Sequence, residues 1–124
     1  MIFKQLFDKT SSTYTYLISS GINREALIID PVLENVNEYI KILEDLKLKL
    51  VKVIDTHIHA DHITGMGKLE EKTKCETIMG DKTPIDIISM KVKNEEEINI
   101  DGIKLKALHT PGHTIESFSF AMED

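Results

Sequence analysis

The sequence predicts an α/β fold, and three features predict it. Short β-branched and aromatic runs open the chain as a meander, and an amphipathic stretch then feeds a buried apolar run. Nearer the end, Asp101-Gly102 sits between two alternating runs, the pattern of a β-hairpin.

Each element follows from its residues in order. Ile2 to Phe7 and Thr13 to Ser19 read as strands separated by the turn residues Thr10-Ser11-Ser12. Gly21 to Glu25 reads as a hairpin connection into a third strand, Ala26 to Ile29, which Asp30-Pro31 stops. Tyr14 and Tyr16, at period two, are read as sheet residues. Asn35 to Leu48 has helical spacing of Val36, Ile40, Leu43 and Leu46, with Glu34, Lys41, Glu44, Asp45 and Lys47 on a solvated face. Asn35 with Glu38 resembles a capping box. Leu50 to Ile54 is a buried strand.

Beyond it, Thr64 is a candidate cap for a helix burying Ile63, Met66 and Leu69, and Cys75 to Met79 reads as a strand. Cys75 is taken as a small buried hydrophobe, and Met66, Met79 and Met90 as core filling. Asp81 to Met90 is read as a loop with a helical turn around Pro84 to Ile88. Ile103 to Leu108 completes the hairpin, and Ser117 to Met122 forms a last strand.

The 124 residues suit one domain, 1–124, with no repeat or linker. A hydrophobic content of 41% and a charged content of 29% fit a soluble protein. The net charge of −6 argues against nucleic acid and anionic membranes as partners. Arg24 is the sole arginine among fifteen basic residues, so bidentate gripping of an anion has a single candidate. One cysteine excludes an internal disulfide and fits a reducing compartment. Charges interrupt the first nine residues too often for a signal peptide, and no apolar run nears the roughly 20 residues of a membrane span. A cytoplasmic location is expected.

The chemistry concentrates in Thr56-His57-Ile58-His59-Ala60-Asp61-His62, directly after the buried strand. Three of the five histidines lie within six positions, beside a carboxylate. Imidazole and carboxylate ligands suit zinc, iron or manganese. If the chain stays extended, His57 and His59 project to one side, while Asp61 and His62 face a second metal or the outer shell. A second cluster, Thr110-Pro111-Gly112-His113-Thr114, sets His113 on a rigid turn after a strand. His57, His59 and His113 would give three imidazoles and leave an open coordination position, with Thr114 orienting a ligand from outside. His109 is read as structural.

This pairing of clusters, about fifty residues apart, resembles the metallo-β-lactamase superfamily. Thr13 to Leu17, Asp30-Pro31-Val32-Leu33-Glu34 and the stretch from Thr56 to Gly65 resemble its persulfide dioxygenase branch, related to glyoxalase II. The resemblance implies an αββα sandwich with the metal site at one edge, and it covers essentially the whole chain as an N-terminal half. In the hydrolase relatives it implies one metal at the positions of His57, His59 and His113 and a second at those of Asp61 and His62. In the dioxygenases it implies a single Fe(II) at the positions of His57 and His113 plus an aspartate expected shortly after Asp124.

The implied function is oxidation of a small-molecule persulfide, such as glutathione persulfide, to sulfite with O2. The alternatives are a glutathione thioester hydrolase with one or two Zn(II), in which Asp61 positions the attacking hydroxide, and a catalytically inactive truncated fragment. Glu116 stands where the family's turn usually has glycine. A half-sandwich is expected to leave the inner face of its sheet open, which predicts a homo-oligomer covering it.

Overall fold

The computed structural model describes residues 1–57, 65–81, 88–111 and 117–123. Three antiparallel strands, β1 (Ile2–Asp8), β2 (Thr13–Ser19) and β3 (Glu25–Ile29), form the expected meander. β4 (Lys49–Ile54), β5 (Glu76–Gly80) and β6 (Met90–Val92) then continue the same sheet in parallel, in the order β1-β2-β3-β4-β5-β6. Parallel neighbours need crossovers, and α1 (Val36–Asp45) and α2 (Gly65–Thr73) lie in the β3–β4 and β4–β5 connections. A second, antiparallel sheet consists of β7 (Glu97–Ile100), β8 (Ile103–His109) and β9 (Phe118–Glu123).

Alternation along the large sheet feeds two cores. Leu17, Ala26, Ile28, Leu50, Val53 and Met79 face the helices and pack with Tyr39, Leu43, Met66 and Leu69. Ile18, Leu27, Ile29, Ile54 and Ile78 face the other way, onto Ile98, Ile100, Leu105, Ala107 and Phe118 of the small sheet. Helices, large sheet and small sheet are thus three successive layers of the αββα arrangement that the resemblance implies. Val51 is an extra residue in β4, where the register with β3 shifts between Ala26 and Leu27.

Among the described residues, polar links join the sheets at both ends and in the middle. At the amino end of β3, Arg24 makes a bidentate pair with Asp101 (Nε to Oδ2 2.8 Å, Nη2 to Oδ1 2.9 Å). Midway, the Lys52 ammonium donates to the Asn99 carbonyl at 3.2 Å. At the carboxyl end, the Phe118 amide donates to the Thr56 carbonyl at 2.8 Å.

Several sequence expectations are revised. Asn35 makes no side-chain capping bond; its side-chain Nδ2 donates instead to Asp8 Oδ1 at 3.1 Å, and a 3-10 turn, Leu33–Asn35, precedes α1. The helix ends at Asp45, before Leu48, because Lys47 adopts φ 55° and the Leu48 amide bonds back to the Leu43 carbonyl at 2.8 Å. β6 adds a strand across Met90, at the end of the segment read as a loop; residues 82–87 of that segment lie outside the described residues. The Asp-Gly hairpin forms as read, with Asp101 at φ 48° and Gly102 at φ 86°.

The inner face of the large sheet is covered within the chain across β3 to β6. Among the described residues, an apolar ladder stays open over β1 and β2: Phe3, Phe7 and Tyr14 are each about half exposed. Phe3 packs on Tyr16 and Phe7 on Tyr14, with ring centroids 5.7 and 4.7 Å apart.

Candidate metal centre

Among the sequence-predicted ligands, His57 is described. His59, Asp61, His62 and His113 lie outside the described residues, as do Thr64 and Thr114. The described residues alone assemble no group of three or more His, Cys, Asp or Glu side chains able to hold a metal. What they do define is the setting of His57 and the residues on either side of the segment containing His113.

His57 follows the carboxyl end of β4, where open α/β sheets carry their functional groups. Its Nδ1 lies 2.9 Å from the Thr56 hydroxyl. Thr56 is held in turn by Asp30, at the end of neighbouring β3: the Thr56 amide donates to Asp30 Oδ1 at 2.8 Å and its hydroxyl to Oδ2 at 2.7 Å. A row Asp30–Thr56–His57 therefore runs across the strand ends.

Asp30 is fixed by its surroundings. It is 9% exposed and adopts φ 54°, a left-handed conformation that aspartate tolerates better than most residues. Its amide donates to the Ile54 carbonyl at 2.7 Å, and its carbonyl accepts the Thr15 hydroxyl at 2.7 Å. Because Thr15 spends its one proton there, the Tyr39 hydroxyl, 3.1 Å away, is the donor between those two side chains. Tyr39 also accepts the Val32 amide at 3.0 Å, so α1 grips the Asp30-Pro31-Val32 bend. Gly65 opens α2 against that bend, where a Cβ would come within 2.8 Å of Pro31 Cβ.

Sequence reasoning quoted Asp30, Thr56 and Thr15 within motifs but gave none of them a part at the site, and it did not single out Tyr39. Asp-Pro at a strand end, and a hydroxyl residue beside the first histidine of a cluster, were the available signals.

The residues flanking the second histidine segment are anchored beside the first. The Thr110 amide donates to the Ser117 carbonyl at 3.0 Å, closing the neck of the 111–116 segment. The next residue, Phe118, bonds to Thr56, the residue before His57. His109 stacks on Phe118 with ring centroids 5.2 Å apart, and its amide is held by Asn94 Oδ1 at 2.8 Å, in line with a structural part. Gly80 permits this junction, since a Cβ there would lie 2.1 Å from Phe118 Cδ1. The described residues flanking the two histidine-bearing segments therefore meet on one backbone hydrogen bond. This anchoring, together with a row that orients the His57 ring, fits a metal-binding turn.

Two groups stand apart from this region. Arg24 is engaged by Asp101, whose carboxyl the guanidinium holds well below the usual carboxylate range. Cys75 is buried, and burial pushes its thiol up, away from the nucleophilic thiolate. Among the described residues, no helix is long and apolar enough to cross a membrane.

Residues 9–87 match the metallo-beta-lactamase superfamily. The mitochondrial persulfide dioxygenase ETHE1 of Mus musculus is 33% identical over 125 residues, covering 100% of this chain and 49% of that protein. A hydroxyacylglutathione hydrolase of Pelagibacter ubique is 32% identical over 118 residues, covering 94% of this chain and 48% of that protein. The crystal structure of ETHE1 from Myxococcus xanthus superposes with a TM-score of 0.92 at 42% identity, covering 98% of this chain and 54% of that one. The chain thus spans about half the length of the relatives it matches. With the layered sheets, the strand-end histidine and a family match across most of its length, the chain belongs to the metallo-beta-lactamase superfamily, whose members bind metals.

Proposed function

We propose that the chain carries the first ligand-bearing turns of a glutathione persulfide dioxygenase. The overall reaction balances as persulfide, O2 and water giving the thiol, sulfite and two protons. The observation that carries this reading is the bond from the Phe118 amide to the Thr56 carbonyl, which joins the base of the His113 turn to the base of His57. The match to ETHE1 over the whole chain supports the choice of branch.

In this reading His57 and His113 hold a single Fe(II) with an aspartate that the resemblance assigns to the half of the relatives this chain does not span. When bound, iron in such a two-histidine, one-carboxylate set supplies the electron-transfer chemistry that O2 requires. The protein's part is orientation: Asp30 and Thr56 fix the His57 ring, and the two anchored necks fix the distance between turns. Glutathione carries carboxylates, and Arg24, the chain's one arginine, is committed to Asp101 rather than to such an anion.

The test is metal content together with oxygen uptake and sulfite formation on glutathione persulfide. Iron near one per chain with oxygen consumed supports the reading; full zinc occupancy without oxygen uptake overturns it. The second reading, a zinc-dependent glutathione thioester hydrolase using His57, His59, Asp61, His62 and His113, is supported by the hydroxyacylglutathione hydrolase match over 94% of the chain. Thioester cleavage without oxygen uptake would select it. A third reading, an inactive fragment, predicts turnover only when the remaining half is supplied in trans. For the partner, we propose a second copy of this chain, seated on the open ladder of Phe3, Phe7 and Tyr14.

A further inference from the structure

We propose that Asp30, acting through Thr56, holds His57 in the tautomer with its proton on Nδ1, so that Nε2 carries the lone pair offered to the metal. The proposal rests on the reading of His57 as a ligand. It follows from counting protons along the row. A carboxylate only accepts hydrogen bonds, and both Asp30 oxygens are engaged by Thr56, at 2.8 Å by the amide and 2.7 Å by the hydroxyl. The threonine hydroxyl has one proton, and it is directed to Asp30. Toward His57 Nδ1, 2.9 Å away, that oxygen can only accept. Nδ1 must therefore be the donor, and which ring nitrogen binds a metal is set by the hydrogen bond the other one makes.

The backbone carrying the row is held at both of its ends. Asp30 is pinned through its amide to Ile54 and through its carbonyl to Thr15, while Thr56 is pinned through its carbonyl to Phe118. Moving the backbone of either residue would break one of these bonds. Asp30 is thus a positioning residue: it acts on the metal only through Thr56 and the ring.

Asp30→Asn gives the decisive variant, because it keeps shape while inverting polarity. Asparagine accepts φ near the 54° seen here, so the bend is retained. Its carbonyl still accepts the Thr56 amide, but its NH2 now donates to the Thr56 hydroxyl. That hydroxyl is then free to donate to Nδ1, and the ring proton moves to Nε2.

The experiment records long-range proton–nitrogen correlations of the histidine rings in metal-free, 15N-labelled protein with the imidazoles neutral. His57 is expected to show the Nδ1–H pattern in the parent and in Thr56→Ser, the Nε2–H pattern in Asp30→Asn, and a mixture in Thr56→Val. A parent with Nε2–H, or an Asp30→Asn variant with an unchanged pattern, overturns the proposal. Should Asp30→Asn fail to fold, an unchanged pattern in Thr56→Val overturns it equally.

Chelator competition with Zn2+ alone supplies the second readout. Asp30→Asn and Thr56→Val are expected to weaken binding roughly ten- to hundred-fold, with Thr56→Ser near the parent. Weakened binding with no change of tautomer would make Asp30 merely structural and overturn the proposal. A switched tautomer with unchanged affinity would instead overturn His57 as a ligand while leaving the proton assignment standing.

Discussion

The carbonyl of Thr56 and the amide of Phe118 lie 2.8 Å apart, and this bond joins the residue before His57 to the strand that follows the segment containing His113. The junction depends on the Phe118 ring, 2% exposed, lying against Gly80. A Cβ on Gly80 would lie 2.1 Å from Phe118 Cδ1, so Gly80→Ala must push the ring and its strand away. Overpacking of this kind costs about 1–3 kcal/mol. The variant is expected to unfold at lower urea with an unchanged slope, and to bind metal more weakly because the two necks part. Equal stability and equal metal affinity would show that the junction does not govern the site.

Metal content separates ligands from neighbours. His57→Ala and His113→Ala are each expected to lose stoichiometric metal, measured by elemental analysis of purified protein. His109→Ala is expected to keep it, because that ring packs on Phe118. Loss of metal in His109→Ala, with His57→Ala unaffected, would reverse the assignment.

Most of the fold was legible because local pattern and tertiary role agree. β2 matches its sequence reading residue for residue, since Thr13 to Ser19 is rich in aromatic and β-branched residues and is bounded by turn residues on both sides. The hairpin at Asp101-Gly102 was legible because its turn type demands those residues. The helix ends were not, since Lys47 in a left-handed conformation carries no glycine signal and Asn35 chose Asp8 over its own helix. β6 was missed because three residues, Met90 to Val92, are too few to show a period. For the site, the histidines were legible in spacing alone. The supports Asp30, Thr15 and Tyr39 were not, because their link to His57 exists only once β2, β3, β4 and α1 have packed together.

The Arg24–Asp101 pair predicts an acid-sensitive contribution to stability. The Asp101 carboxyl is held below its ordinary value, chiefly by hydrogen bonding to Arg24 and then by the Glu25 amide. A depressed folded-state pKa stabilises the native protein above the unfolded value of about 4 and loses that contribution as pH falls through the folded value. Comparing urea midpoints with those of Asp101→Asn should give a constant gap from neutral pH down to about 5, closing in more acidic buffer. Arg24 is largely exposed, so the gap should be modest and shrink with salt. A gap that widens on acidification would contradict the pairing.

Cys75 provides a probe of packing between α2 and β5. It is 5% exposed, and burial pushes its thiol up, so alkylation in the native state is expected to be slow and to become fast once urea unfolds the chain. Cys75→Ala should retain metal content within error. Rapid native-state labelling would mean that the thiol reaches solvent through local opening.

The ladder on β1 and β2 predicts the state of association. Phe3 and Phe7 are 49% and 50% exposed and lie on the face that the small sheet covers elsewhere, and β1 is the outermost strand of its sheet. An open strand edge beside stacked aromatic rings favours pairing with another chain. Two copies related by a twofold axis would bring the same ladder together from both sides, a self-complementary contact needing no other partner. Light scattering is therefore expected to give a dimer mass that Phe3→Ser with Phe7→Ser reduces to a monomer, while leaving the fold and His57 untouched. A monomer in the parent chain at high concentration would contradict a second copy as the occupant of this face and leave the remaining half of the relatives' length as the alternative covering.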